Sequence, residues 1–483
     1  MFIGLDLGTS GVRALLVDDE GAPRHSAEAR LAVTHPKSGW SEQDPADWIA
    51  AARAAVVALA ADRPADIARL RGIGLSGQMH GATLLDANGG VLRPCILWND
   101  TRSHRQAARL DALPGVRERS ANIVFPGFTA PKLAWVAEEE PEIFARVATV
   151  LLPKDYLSFW LTGRRVSEMS DSAGTAWLDV GARAWSPDLL AQGGMRRDQM
   201  PDLLEGTDIV GPVRGDLARD LGLPEDVLVV AGGGDNAAAA CGVGTLTEGD
   251  GFVSLGTSGV LLTARDGFAA APDSAVHTFC HAVPGAWYQM GVTLAATDSL
   301  NWLARVTGET PAALTRALGE DLDEPGCVRF LPYLSGERTP HNDSAVRGAF
   351  IGLEIATGRD DLTRSVLEGV SFALRDSLLA LQASGATLDR LLAIGGGAQS
   401  RYWVKLLATV LDLPIDLPEK GELGAALGAA RLAICGVTGA APAEVMTKPL
   451  ISETVLPDPR RSAAYRDAHA AFAQTYPALK AMP

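Results

Sequence analysis

Apolar and polar positions follow two rhythms along this chain. Short apolar runs end abruptly at small polar residues, and longer stretches carry apolar positions at helical spacing. The first run, Phe2-Ile3-Gly4-Leu5-Asp6, breaks into Leu7-Gly8-Thr9-Ser10-Gly11 and resumes over residues 12–17. A later run, Phe252-Val253-Ser254, breaks into Leu255-Gly256-Thr257-Ser258-Gly259 and resumes over residues 260–263. Each reads as strand, tight turn, strand. Further strands are predicted over residues 71–76, 91–98, 147–153 and 227–231. Asp44-Pro45-Ala46-Asp47 has the form of a helix start, with Asp as cap, Pro in the first position and an acid in the first turn. That helix should run to about residue 61. Residues 361–381 and 422–434 predict helices, and a final amphipathic helix follows residue 456. Strands alternating with helices give an α/β class with mixed or parallel sheets.

The two hairpins share Leu-Gly-Thr-Ser-Gly and lie 248 residues apart in a chain of 483. Two hairpins of one design, half a chain apart, predict two lobes of related fold. The expected division is a first lobe over 1–245, a second over 246–440 and a helical tail over 441–483. Gly8, Thr9, Ser10 and Gly256, Thr257, Ser258 offer backbone amides and hydroxyls in tight turns, a pattern that suits anions. The same residue types also make ordinary hairpin turns.

Three other places carry candidate chemistry. Val229-Val230-Ala231-Gly232-Gly233-Gly234-Asp235-Asn236 ends a buried strand in glycines, an acid and an amide. Asp235 there can take a proton from a substrate hydroxyl, as phosphoryl transfer requires, or it can cap a following helix. Ala393-Ile394-Gly395-Gly396-Gly397-Ala398 can receive a nucleotide at a helix start, or serve as a plain strand-to-helix turn. Asp6 has Ser254 as its counterpart in the second hairpin, so one hairpin alone offers a carboxylate to a hard cation such as Mg²⁺. It can equally bond its own turn. Met79 and His80, and Trp98 and Asp100, sit at strand ends in the first half. His80 suits a sugar hydroxyl or a packing role. His25, His35, His104 and His469 lie in polar contexts and should face solvent.

Two familiar nucleotide motifs do not apply. The Walker A pattern is absent. Gly72-Ile73-Gly74-Leu75-Ser76-Gly77 spells the dinucleotide string, but its glycines lie inside a strand and no helix follows.

Composition narrows the partners. Net charge is −15, which opposes a nucleic-acid backbone or an anionic membrane as main partner. It leaves phosphorylated ligands open, because backbone amides hold phosphate without net positive charge. The five cysteines are scattered, with no Cys-x-x-Cys pair, which fits a reducing compartment. No basic leader and no bilayer-length apolar run is present, so a cytoplasmic location is expected.

Taken together, Asp6 to Gly11, Gly233 to Asn236, Ser254 to Gly259 and Gly395 to Ala398 resemble the FGGY family of carbohydrate kinases. Phe128-Thr129-Ala130-Pro131-Lys132-Leu133-Ala134-Trp135 and Gly348-Ala349-Phe350-Ile351-Gly352-Leu353 are similar to that family's signature strings. Trp40 to Pro45, Gly77 to Gly81, Ile96 to Asp100, Met169 to Thr175 and Leu331 to Pro340 resemble the members acting on D-xylulose. The resemblance covers residues 1 to about 440. It implies the two-lobed actin-like, ribonuclease-H-like fold with a cleft between lobes. It also implies transfer of phosphate from ATP to D-xylulose with Mg²⁺. Related sugar or polyol kinases of the family, and an actin-like protein that binds nucleotide without transfer, are the alternatives. By resemblance, Asp235 is the general base, Asp6 serves metal and phosphates, and Met79, His80 and Asn236 face the sugar, with Trp98 and Asp100 around it. Gly8, Thr9, Ser10, Gly256, Thr257, Ser258, Gly395, Gly396 and Gly397 face ATP. A homodimer is compatible with the resemblance.

Overall fold

The computed structural model describes residues 1–419 and 424–481. Two sheets of one design dominate it. In the first, Phe2–Gly8, Gly11–Val17 and Pro23–Arg30 form an antiparallel meander. Gly72–Gly77 and then Leu228–Gly234 join in parallel on the other side of Phe2–Gly8, and Ile209–Pro212 closes that edge. In the second, Gly251–Leu255, Gly259–Arg265 and Trp287–Thr293 form the meander. Leu391–Ile394 and Ile415–Pro418 join in parallel, with His277–Cys280 and Ile451–Val455 at the two edges. The repeated hairpin is therefore the centre of each sheet, and the repeat extends to strand order.

The first hairpin turns over two residues, Thr9-Ser10, between Gly8 and Gly11, and the second over three, Gly256-Thr257-Ser258, between Leu255 and Gly259. The parallel strands of the first sheet, Gly72–Gly77 and Leu228–Gly234, are largely apolar, and helices pack on that sheet. Helix Pro45–Asp62 starts where the sequence predicts, with the Asp44 side chain accepting from the Ala46 amide at 2.9 Å. Helix Arg359–Ala383 extends the predicted one by two residues at each end.

Helix Gly424–Thr438 follows the second-lobe strands in sequence but packs on the first sheet. It comes so near that a Cβ at Gly4 would lie 1.8 Å from the Ala426 carbonyl oxygen, and one at Gly74 1.8 Å from that of Ala429. It also crosses helix Asp235–Val243, where a Cβ at Gly428 would lie 1.7 Å from the Ala238 oxygen. The predicted start of this helix at Glu422 lies outside the described residues.

Two expectations change. Residues 91–98 hold only a two-residue strand, Cys95–Ile96, because Pro94 has no N–H for a ladder and interrupts the run. His469 is half-buried rather than solvent-facing, with Nε2 2.7 Å from Asp376 Oδ1. It belongs to the tail helix Ser462–Ala473, whose Tyr465 and Phe472 enter the second core. All five cysteines are free, and only Cys327 is exposed. Among the described residues no helix is long and apolar enough to cross a membrane.

Candidate active site

The first hairpin sets Asp6 in register between Arg13 on one neighbouring strand and Ser76 on the other. Burial raises its carboxyl pKa, and Ser76 and Arg13 oppose that rise. Arg13 is the cation that sequence reading missed. It pairs with Glu28 at 2.6 Å and lines a groove of about 560 Å³ with Asp6, Gly8 and Ser10. The Thr9 hydroxyl is not free for an anion. It donates to Gln78 Oε1 at 3.1 Å and accepts from Trp98 Nε1 at 3.0 Å. Gln43 ties in the same turn through the Thr9 carbonyl at 2.7 Å. The turn is thus held rigid from behind, leaving amides and the exposed Ser10 to meet a ligand.

Asp235 stands at the end of strand Leu228–Gly234, as the first residue of helix Asp235–Val243. It does not cap that helix. Its Oδ1 accepts from the Asn236 amide at 2.7 Å and from Asn236 Nδ2 at 2.9 Å. No described residue hydrogen-bonds its second oxygen, which can take a proton. Burial, and then the negative charge of Asp6, push its pKa up to about 7. Behind it, Ser170 Oγ accepts from the Gly234 amide at 3.0 Å and donates to Glu168 at 2.9 Å, which pins the end of the strand.

Met79 and His80 flank this strand end. A Cβ on Gly234 would lie 3.0 Å from Met79 Cγ, so Met79 abuts the backbone next to Asp235. His80 has φ +69, an uncommon conformation for a side-chain-bearing residue. The fold holds it there. Lys132 Nζ donates to the His80 carbonyl at 2.8 Å and to that of Gly127 at 2.7 Å. Thr129 donates to the same His80 carbonyl at 3.2 Å. The imidazole stacks on Phe128 at 4.8 Å and has Nδ1 2.7 Å from the Gly174 carbonyl. Burial first, then Lys132, lowers its pKa to about 3, so the ring is neutral. A carbonyl only accepts, so Nδ1 carries the hydrogen and Nε2 is an acceptor for a ligand hydroxyl. Lys132 has its own pKa lowered to about 7 by burial.

Trp98 and Asp100 separate in the structure. Trp98 is exposed at the rim and bonds Thr9. Asp100 is buried, and Arg102 and the Ser41 amide occupy its carboxylate at 2.7 and 2.6 Å. Its place is behind the wall, holding the segment that presents Trp98.

The second lobe supplies the other turn. Gly256 O accepts from the Thr297 amide at 2.9 Å and Thr257 O from that of Ala296 at 2.8 Å. These bonds tie the turn to helix Thr297–Thr307. Gly396 and Gly397 border a cavity of about 740 Å³ with Thr297, Asn301, Pro311 and Thr315. That volume suits a nucleoside. Two more second-lobe residues, His277 and Arg338, reach the aromatic wall around Phe128, and no sequence motif had singled them out.

A divalent cation carried by a nucleotide needs only one or two carboxylates besides phosphate and water. Asp6 and Asp235 are two carboxylates near enough for the charge of one to raise the pKa of the other, a donor set that would fit such a cation. Among the described residues no cluster of three or more His, Cys, Asp or Glu side chains forms a protein-only metal cage.

Models for the N-terminal and C-terminal domains of the FGGY family of carbohydrate kinases match residues 1–242 and 251–437. The chain is 46% identical to a xylulose kinase of Klebsiella pneumoniae, with 99% of each covered. It is 45% identical to a xylulose kinase of Escherichia coli K12, again with 99% of each covered. A crystal structure of a Brucella ovis protein described as a xyloylose kinase superposes with a TM-score of 0.98 at 56% identity, covering 100% of this chain and 99% of that one. The architecture is the two-lobed actin-like fold, with a cleft between the lobes. The chain belongs to the FGGY family of carbohydrate kinases.

Proposed function

We propose that the protein transfers the γ-phosphoryl group of ATP to the terminal hydroxyl of D-xylulose, giving ADP and D-xylulose 5-phosphate. The observation that carries this reading is Asp235, with one oxygen unbonded among the described residues and a pKa near 7, set between Met79 and the Asp6 hairpin. A base poised near the working pH is the form general catalysis favours. The names carried by the related proteins support xylulose as the sugar.

In this reading the sugar lies against Met79 and His80, and His80 Nε2 accepts from one of its hydroxyls. Asp235 receives the proton of the attacking hydroxyl as its oxygen bonds to phosphorus. The amides of the two hairpin turns hold the phosphates from opposite lobes, and the base and ribose fill the cavity beside Gly396 and Gly397. Asp6, with Asp235 close by, would hold Mg²⁺, which would supply neutralisation of phosphate charge. Closure of the lobes excludes water that would otherwise take the phosphoryl group. A coupled ADP-release assay with D-xylulose, L-xylulose and D-ribulose tests the assignment. The highest kcat/KM should fall on D-xylulose. A clear preference for another sugar, or no sugar-dependent ADP release, refutes it.

A further inference from the structure

A half-buried arginine ordinarily finds a carboxylate, and this chain has 58 acidic residues to offer. Among the described residues none comes within 4.0 Å of the Arg338 guanidinium. Its Nη1 instead lies 3.5 Å from Nε2 of His277, and its Cζ lies 4.7 Å over the Phe125 ring. His277 Nδ1 is 3.0 Å from Asn122 Oδ1, an acceptor that also takes the Thr278 amide at 3.2 Å. Nδ1 therefore carries the hydrogen, and Nε2 is left to accept from the arginine. The remaining guanidinium N–H groups have no acceptor among the described residues.

The position of this cation is as informative as its lack of partners. Phe125 packs 5.7 Å from Phe128, and Phe128 stacks 4.8 Å from His80. Arg338 thus lies at the His80 end of the sugar wall. Met79 lies beside His80, against Gly234 and next to Asp235. The contacts thus run from the base through Met79 and His80 to Phe128, Phe125 and the unpaired cation.

The chemistry of a 2-ketopentose fits this polarity. Its furanose ring closes through the C5 oxygen. Phosphorylation of the C5 hydroxyl therefore requires the open chain, in which C2 is a free ketone. A ketone oxygen only accepts hydrogen bonds, and a guanidinium only donates them, through a planar fork. We infer that Arg338 recognises the open-chain substrate by donating to its C2 carbonyl oxygen while Asp235 receives the proton from the C5 hydroxyl. This rests on the proposed reaction with D-xylulose. It makes the sugar site a product of both lobes, because Arg338 lies in the second and His80 in the first.

Isothermal titration calorimetry with D-xylulose and with xylitol, which carries a hydroxyl in place of the ketone, tests the inference. The wild type should bind the ketose at least tenfold more tightly. Arg338→Met should weaken D-xylulose binding about 30-fold and xylitol binding no more than threefold, so that the preference collapses, with KM for ATP unchanged as evidence of an intact fold. Arg338→Gln, which keeps a donor towards His277, provides the same comparison if the Met variant does not fold. Equal loss for both ligands, or a preference that survives in the variants, overturns the role of Arg338 while leaving the reaction standing. Absence of ADP release by the wild type with D-xylulose overturns the reaction itself and the inference with it.

Discussion

Replacing Gly174 with Ala probes the sugar wall without removing any functional group. An ideal Cβ at Gly174 lies 2.4 Å from both Nδ1 and Cε1 of His80 and 3.1 Å from Met79 Cε. Contact between such atoms begins near 3.4 Å, so the imidazole must move by about 1 Å. It has little room to do so. Phe128 stacks on its face at 4.8 Å, and Lys132 and Thr129 grip its carbonyl at 2.8 and 3.2 Å. Overpacking of this kind costs roughly 1–3 kcal/mol, and losing the 2.7 Å bond from Nδ1 to the Gly174 carbonyl adds about 1 kcal/mol. Part of this cost falls on folding. The displaced Nε2 also loses its aim at the sugar, and at about 1.4 kcal/mol per tenfold, KM for sugar should rise roughly 10- to 100-fold. KM for ATP should stay within about twofold, because the cavity proposed for the nucleotide lies in the other lobe. Steady-state kinetics with each substrate varied in turn measures both. Gly396→Ala is the control. Its Cβ meets nothing within 4 Å, so the sugar constant should hold and any effect should appear on ATP. An unchanged sugar KM in Gly174→Ala would refute the assignment of His80 to the sugar.

Four further outcomes follow from the geometry. Asp235, raised to about 7 by burial and by Asp6, must be ionised to act, so kcat/KM should fall about tenfold per pH unit below pH 7. A flat profile from pH 5.5 to 8 would contradict this. The same shift has a stability consequence. An acid with a raised folded pKa contributes stability at low pH that is lost as pH rises through about 7. Asp235→Asn should therefore raise Tm of the ligand-free protein at pH 8 more than at pH 5, and equal Tm changes would count against the shift. Gly74→Ala places a Cβ 1.8 Å from a helix carbonyl oxygen and should cost about 3 kcal/mol or more, read as a fall in the urea midpoint. Lys132→Met removes the shorter of two donors on the His80 carbonyl and should raise sugar KM more than it lowers kcat, with ATP binding kept. An effect confined to kcat would argue against its holding His80.

What the sequence disclosed, and what it withheld, divides along local and non-local lines. The hairpins were legible because a strand, a tight turn and a strand are set by neighbours in sequence, and the repeat announced the paired sheets. Arg13 was within reach of the same reasoning. Once the turn is placed at Thr9-Ser10, antiparallel register sets residue 13 opposite Asp6. Asp100 also had a signal, since Arg102 two residues on is the partner that occupies it. The spent hydroxyl of Thr9 was not legible, because Trp98 and Gln78 reach it from distant segments. Lys132 stood inside a recognised string, yet its work on the His80 carbonyl appears only in three dimensions. The same holds for the raised pKa of Asp235. Burial and the nearby charge of Asp6, both set by the fold, bring it to about 7. His277 and Arg338 enter from second-lobe segments with no local mark of a site.

The central claim is that Asp235 is the base for phosphoryl transfer to D-xylulose. The most direct test is ADP release by wild type and Asp235→Asn at saturating ATP and D-xylulose, with sugar affinity measured on the same preparations. The account predicts that the wild type releases ADP only when sugar is present, and that the variant loses about 10²–10⁴-fold in kcat while binding D-xylulose within a few-fold of wild type. Turnover by Asp235→Asn near the wild-type rate would contradict it.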